Sequence, residues 1–303
     1  MLNKIRFINI QQTFFYLCHL LKLMKMKKAL LIVALLMATT ITFAQKKEKI
    51  KGSKIVTIEK KKVENFTALE VSDELEVTLV KGTECGLEIE ADDNLQEAIA
   101  IQVIDNTIKL STIKDIVSAK KVSIRITYTD AFNNVTTKNE SSIISLSELD
   151  LQKIEFKSFD SSKLFLNAKV GDFKLQMNDK SYAEINLKSD QSTISLSKSS
   201  KLKALIASVA LTLDMYQKTD ASIEGDTEKF KLRLDNNATF IGKNLTSKEA
   251  EITTESYTNA SINAVNTLKI AAAGKSEISI YGDPKIEIDK FSDNAILQNN
   301  KTK

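Results

Sequence analysis

The chain has 303 residues, 43% of them hydrophobic and 27% charged, with eight Gly, one Pro, no Trp and a formal net charge of +4. That composition is globular and excludes a disordered, collagen-like or many-spanning membrane protein. Six bases and no acid precede residue 45, so the remainder carries 37 bases against 39 acids and retains neither the only histidine, His19, nor Cys18.

At the amino end, Lys25, Lys27 and Lys28 precede an unbroken apolar run from Ala29 to Ala38, followed by Thr39 to Ala44 and a polar stretch. This is the order of a secretory signal peptide over residues 1–44, with cleavage after Ala44 because Thr42 and Ala44 place small side chains next to the cut. A membrane anchor is the competing reading, and the run of about ten residues falls well short of the roughly 20 that a span needs. Met24 or Met26 would start a leader of ordinary length, which makes residues 1–23 an upstream extension. The mature chain is therefore expected to be exported, whether periplasmic, outer-surface or secreted, with no transmembrane span. Cys85 is left without an intramolecular disulfide partner and reads as a small buried hydrophobe.

Residues 45–62, rich in lysine, read as a solvated polar lead-in. From 63 to 129 the pattern is one of half-buried strands: Leu69 and Val71, then Leu75, Val77 and Leu79, then Leu87, Ile89 and Ala91 alternate with polar residues across turns at Ser72-Asp73 and Lys81-Gly82. A short helical turn fits only Asp92 to Ala100, where Leu95, Ala98 and Ile99 have i, i+3, i+4 spacing after a capping aspartate.

Across residues 130–290 the sequence repeats itself. Strand openings recur at Ser142, Ser162, Ala183, Ser200, Ala221, Ala238, Ala260 and Ser276, each a small residue with an apolar one two places on. The intervals are 20, 21, 17, 21, 17, 22 and 16, and pairs of them from Ser162 onward come to 38. A period of about 19 residues with two-residue alternation inside it is the signature of a β-solenoid, more so than of a sandwich, whose turns would allow the alternation without the fixed repeat. The fold class is all-β, a right-handed β-solenoid or β-helix-like stack with an N-terminal β-strand region and a tail at 291–303. The seven small openers from Ser162 onward are expected to stack as one inward column, with Leu164, Ile185, Leu202, Ile223, Phe240, Ile262 and Ile278 as the ladder beside them.

Phe66-x-x-Leu-Glu-Val-Ser72, Leu75-Glu-Val-Thr-Leu-Val-Lys-Gly82, Leu87-Glu-Ile-Glu-Ala-Asp-Asp-Asn-Leu95, the small-residue repeats and the closing Ile280-Tyr-Gly-Asp-Pro284 resemble the GIN domain, the autotransporter adhesin head family. The resemblance spans about Phe66 to Ile288 and carries no catalytic motif. It implies an exported solenoid-like protein, mostly of Bacteroidetes bacteria, with surface or adhesive roles. The stretch Thr129 to Glu140 departs from the family pattern, which often has a Tyr-Pro turn there.

The chemistry available after Ala44 is narrow. Without histidine there is no Ser-His-Asp or Cys-His arrangement and no histidine-bearing zinc site, and one cysteine cannot build a four-cysteine site. No phosphate-cradling glycine motif occurs, and near-neutral charge without a basic face argues against nucleic acid. Carboxylates at Asp160, Asp179, Asp190, Asp214, Asp220, Glu224, Asp226 and Asp235 leave open a carbohydrate-active β-helix enzyme, a glycoside hydrolase or polysaccharide lyase, although aspartate is also an ordinary turn residue that protects solenoid walls. Asp92-Asp93-Asn94 offers hard oxygen ligands but matches no calcium-loop spacing, so no metal or cofactor is assigned. The preferred reading is a non-catalytic binding module of adhesin type, its partner a surface ligand, glycan or protein. Tyr182, Tyr257 and Tyr281 fall at outward positions and are the candidate binding residues, because tyrosine offers a flat apolar face and a hydroxyl.

Overall fold

A computed structural model describes residues 47–300. The signal-peptide segment, its cleavage point, Cys18 and His19 lie outside the described residues. Strands make up 68% of the structure and helix 2%, and the chain is wound as a β-solenoid of about nine turns with a spacing of about 19 residues.

The amino-terminal part comprises β1 (Lys49–Lys51), β2 (Val56–Lys61), β3 (Ala68–Val71), β4 (Glu76–Lys81), β5 (Gly86–Asp92), a 3₁₀ helix at Asp93–Ala98, β6 (Ile99–Ile104), β7 (Thr107–Thr112), β8 (Asp115–Val117) and β9 (Val122–Tyr128). The lysine-rich segment expected as a solvated lead-in is instead built into the fold: β1 pairs with β8, and β2 pairs antiparallel with Leu87–Asp92 of β5. Its lysines point to water while Ile50 packs against the core, so a charged strand had the composition of a linker. The helical turn forms where the spacing places it, but Asp92 makes no side-chain cap bond to it.

Beyond these follow β10 (Asn134–Thr137), β11 (Ser142–Ile144), β12 (Leu149–Ser158), β13 (Lys163–Met177), β14 (Tyr182–Leu196), β15 (Lys201–Tyr216), β16 (Asp220–Asp235), β17 (Thr239–Thr254), β18 (Asn259–Ala272), β19 (Glu277–Tyr281), β20 (Lys285–Phe291) and β21 (Ile296–Asn299). The parallel ladder starts well before residue 130, since β10 lies between β3 and β12, and β11 between β4 and β13. Thereafter each of β13 to β17 pairs in parallel with the next strand, and the ladder closes on β20 and β21. Phe132, in the stretch that departs from the family pattern, seals the junction against Phe66 and Tyr128, with ring centroids 5.8 and 5.2 Å away.

The long strands bend, and the alternation shows where: β17 shifts twice, at Lys243-Asn244 and Lys248-Glu249. In β13 the inward residues are Leu164, Leu166, Ala168 and Val170, then Phe173, Leu175 and Met177, so Gly171-Asp172 shifts the parity and makes the corner. The coil then turns through a left-handed residue: Asp160, Asp179, Lys198, Gln217, Asn236, Ser256, Gly274 and Asp293 hold one place in successive coils with positive φ. Asp and Asn tolerate this conformation better than other side chains, which is why turns rather than strands collect them.

The stacking register corrects the expected columns. All fourteen residues of the two anticipated ladders are buried, but they do not form two columns. Ala183 lies between Leu164 and Leu202, and Ala221 between Leu202 and Phe240. The true small column, tied by backbone hydrogen bonds from the residue after each opener in the next coil, is Ser162, Ser181, Ser200, Thr219, Ala238, Thr258 and Ser276. The alternating intervals of 21 and 17 arise because every second coil has a small residue in the next column too. Ala183 with Ile185, Leu202 with Ala204, Ala221 with Ile223, Phe240 with Gly242 and Ala260 with Ile262 make a checkerboard whose period is two coils. A Cβ on Gly242 would sit 2.4 Å from the Phe240 ring, so the largest residue of the pattern needs the smallest beside it.

Candidate ligand groove

The outward residues of the first wall alternate with the inward columns. Phe165, Glu184, Lys203 and Ser222 form one outer row, and Asn167, Asn186, Leu205 and Glu224 the next. Between these rows lies an open groove of about 760 Å³, bounded at one end by Ile144, Ser145 and Leu146, with Leu166, Ile185 and Ala204 contributing the floor. It crosses four rungs from Ile144 to Ser222, about 19 Å at the usual strand spacing.

The groove mixes apolar and amide surface. Leu146, in the bend after β11, is 80% exposed, and Leu205, on the strand wall, is 53% exposed. The Asn186 Nδ2 donates to Asn167 Oδ1 at 3.2 Å, a ladder that leaves further amide groups facing outward. Tyr182 flanks the groove: its ring meets Phe165 edge-on at 6.3 Å and its hydroxyl donates to Glu184. Partial burial, reinforced by the Glu184 carboxylate, pushes the Tyr182 hydroxyl up to about 12, so it remains a donor throughout the physiological range.

The three candidate tyrosines do not converge. Tyr281 occupies the row of Asn263 five rungs from Tyr182, about 24 Å along the stack. Tyr257 sits in a turn, 58% exposed, with Lys275 Nζ 5.1 Å from its ring centroid. The groove residues Leu146, Phe165 and Leu205 were not singled out from the sequence. Their signal was present: Leu205 is apolar at an outward position between Lys203 and Ala207 and breaks the alternation of its strand.

The carboxylates are dispersed. Asp179 pairs with Lys198 at 2.6 Å, Asp220 with Lys201 at 3.6 Å, and Asp235 accepts from Ser256 at 2.7 Å. Glu184, Glu224 and Lys203 do line the groove, but Glu184 accepts the Tyr182 hydroxyl and Glu224 accepts Asn244 Nδ2 at 3.1 Å. The two glutamates lie two rungs and one outward position apart, roughly 12 Å between backbone positions. Among the described residues no three His, Cys, Asp or Glu side chains converge on a common point. Asp92 is fully buried, and both its oxygens face backbone N–H groups of Lys54, Lys120 and Lys121. Cys85 is half-buried against the core, its Sγ 4.0 Å from Thr129 Oγ1. A second hollow, about 680 Å³, lies beside Gln96, Glu97, Ile99 and Val103.

No curated protein matches the sequence. Solved structures share the fold, three of them as follows. A "putative adhesin" from Parabacteroides distasonis superposes with a TM-score of 0.63 at 13% identity, covering 83% of this chain and 100% of its own. A "putative adhesin" from Parabacteroides merdae gives 0.57 at 16%, covering 84% and 98%. A "putative lipid binding protein" from Parabacteroides distasonis gives 0.56 at 15%, covering 84% and 100%. Two overlapping stretches, residues 65–204 and 183–284, match the family described as "Putative auto-transporter adhesin, head GIN domain", and the chain belongs to that family.

Proposed function

We propose that this protein is an exported, non-catalytic binding module of adhesin type, and that its surface ligand lies along the groove between the Phe165 and Asn167 rows. The groove itself carries the reading: it joins exposed leucines, an aromatic edge and an amide ladder on a rigid parallel wall, a mixture suited to an amphipathic ligand such as a glycan chain. Family membership supports the surface role, and among the described residues no helix is long and apolar enough to cross a membrane. The dispersed, already engaged carboxylates favour binding over hydrolysis, which needs two carboxyl groups at a set separation.

Tyr182 is the one candidate tyrosine adjoining this groove, and it is assigned here as a flanking contact; Tyr257 and Tyr281 are not. A glycan array and a panel of phospholipid vesicles, the latter prompted by the lipid-binding neighbour, supply the test. The triple variant Leu146→Ser, Tyr182→Ser, Leu205→Asn is expected to keep the fold, since all three side chains point outward, and to lose at least about tenfold in affinity for the ligand the array identifies. Unaltered binding would move the site to the hollow beside Gln96. Turnover of a bound glycan that disappears in Glu184→Gln would replace the binding reading with the enzymatic one.

A further inference from the structure

The carboxyl end of the ladder is open. Strands β20 and β21 pair with β18 and β19 along one edge, and no strand of the described residues pairs with the other. Their side chains continue the core columns, with Ile286 on Leu268, Ile288 on Ile270 and Phe291 on Ala272. Leu268, Ile270 and Ala272 are completely buried, whereas Ile286, Ile288 and Phe291 are 38%, 53% and 43% exposed. The cross-section of the hydrophobic core therefore meets solvent beside a row of unpaired backbone groups. A solenoid end ordinarily carries a polar capping element, and an uncovered edge strand is a template for another strand. The opposite end has its cap: β5 runs antiparallel between β2 and β9, and β6 folds back antiparallel on β7.

We propose that this open end docks on the same end of a second copy of the chain, tail to tail about a twofold axis. Three features select that occupant. A bare coil end is matched in outline by another coil of the same perimeter. Strand β20 reads Lys-Ile-Glu-Ile-Asp-Lys-Phe, and antiparallel pairing of two copies centred on Glu287 sets Ile286 against Ile288 of the second copy and Lys285 against its Asp289. The two Glu287 side chains that then face each other are each flanked by Lys285 at 2.9 Å and Lys269 at 3.9 Å, which offsets their repulsion. Finally, the capped amino end cannot receive an open end, so association closes at two copies instead of growing into a filament.

Sedimentation velocity of the full chain across a concentration series tests this. A species of twice the chain mass should appear with rising concentration, and Ile288→Lys should abolish it with an unchanged β circular dichroism spectrum, because the side chain is half exposed already. Lys285→Asp and Asp289→Lys should each weaken the dimer by about tenfold or more, and the double variant should restore it. A wild-type chain that stays monomeric, or a dimer indifferent to Ile288→Lys, would overturn the proposal. Failure of the double variant to restore the dimer would overturn the register. Vesicle binding lost in Ile288→Lys while the wild type remains monomeric would assign the face to a lipid surface instead.

Discussion

Asp92 shows how one side chain can tie a segment to the body of the fold. Its carboxylate is completely buried and accepts backbone N–H groups from Lys54 at 2.9 Å and from Lys120 and Lys121 at 3.1 Å, so it joins the β1–β2 connection to the loop before β9. Burial, the largest influence, pushes this carboxyl up, but the three N–H groups and the Lys54 charge together outweigh it and hold the group below its ordinary value. A depressed folded pKa means that the stabilisation is complete above the unfolded value of about 3.9 and is lost as pH falls through the folded one. Asp92→Asn is therefore expected to unfold at lower urea than wild type at neutral pH, with the gap narrowing below about pH 4. A gap constant with pH would show that the charge contributes nothing. Gly52 belongs to the same contact, since a Cβ there would lie 2.0 Å from Asp92 Oδ2 and 2.9 Å from the Ala119 backbone.

For the strands, the checkerboard makes a sharper statement than burial does. Leu202 is stacked between Ala183 and Ala221, while Ala204 is stacked between Ile185 and Ile223. Leu202→Ala leaves three alanines in succession and no large neighbour able to collapse into the space, so its cost should fall in the upper part of the usual range of about 2–5 kcal/mol. The swap Leu202→Ala, Ala204→Leu restores the volume of the rung but places a leucine between two isoleucines and keeps the void beside it. It should therefore fail to recover stability, because overpacking costs about 1–3 kcal/mol in its own right. Recovery to wild-type stability in thermal unfolding would show that only the volume of each coil matters, not its stacking.

At the scale of the molecule, a stack in which each coil touches only its neighbours has a stability close to a sum of coil and interface contributions. Because the pattern repeats every two coils, deletion of residues 182–219 would bring Leu164 against Ala221 and Leu166 against Ile223, repeating the contacts they now make with Ala183 and Ile185. Deletion of residues 182–200 alone would bring Leu164 against Leu202 and Leu166 against Ala204. The shorter deletion is thus expected to be the more damaging. The measurement is the urea midpoint of each variant, and a single-coil deletion at least as stable as the two-coil one would refute the two-coil period. The open tail and the capped head also make the stack polar, which gives association through β20 its natural limit at two copies.

The strand class, the period near 19 and the identity of the buried residues were legible in the sequence, because side chains alternate with a period of two whatever the partner strand and an inward residue must be apolar or small. The 38-residue sum was legible too, but not its meaning. A pattern of a small residue followed by a large one matches Ala183-x-Ile185 and Ser200-x-Leu202 equally well, although they lie two residues apart in register, and only cross-strand pairing separates the two. The lysines of residues 45–62 concealed strands β1 and β2, since an exposed edge and a linker share a composition and differ only in having a partner. The groove and the open end were decided by tertiary structure alone. Phe165 and Leu205 are 40 residues apart in sequence yet two rungs apart in space, and Ile288 resembles any inward isoleucine until the stack above it ends. Proximity of that kind belongs to the winding of the coils, which no local pattern encodes.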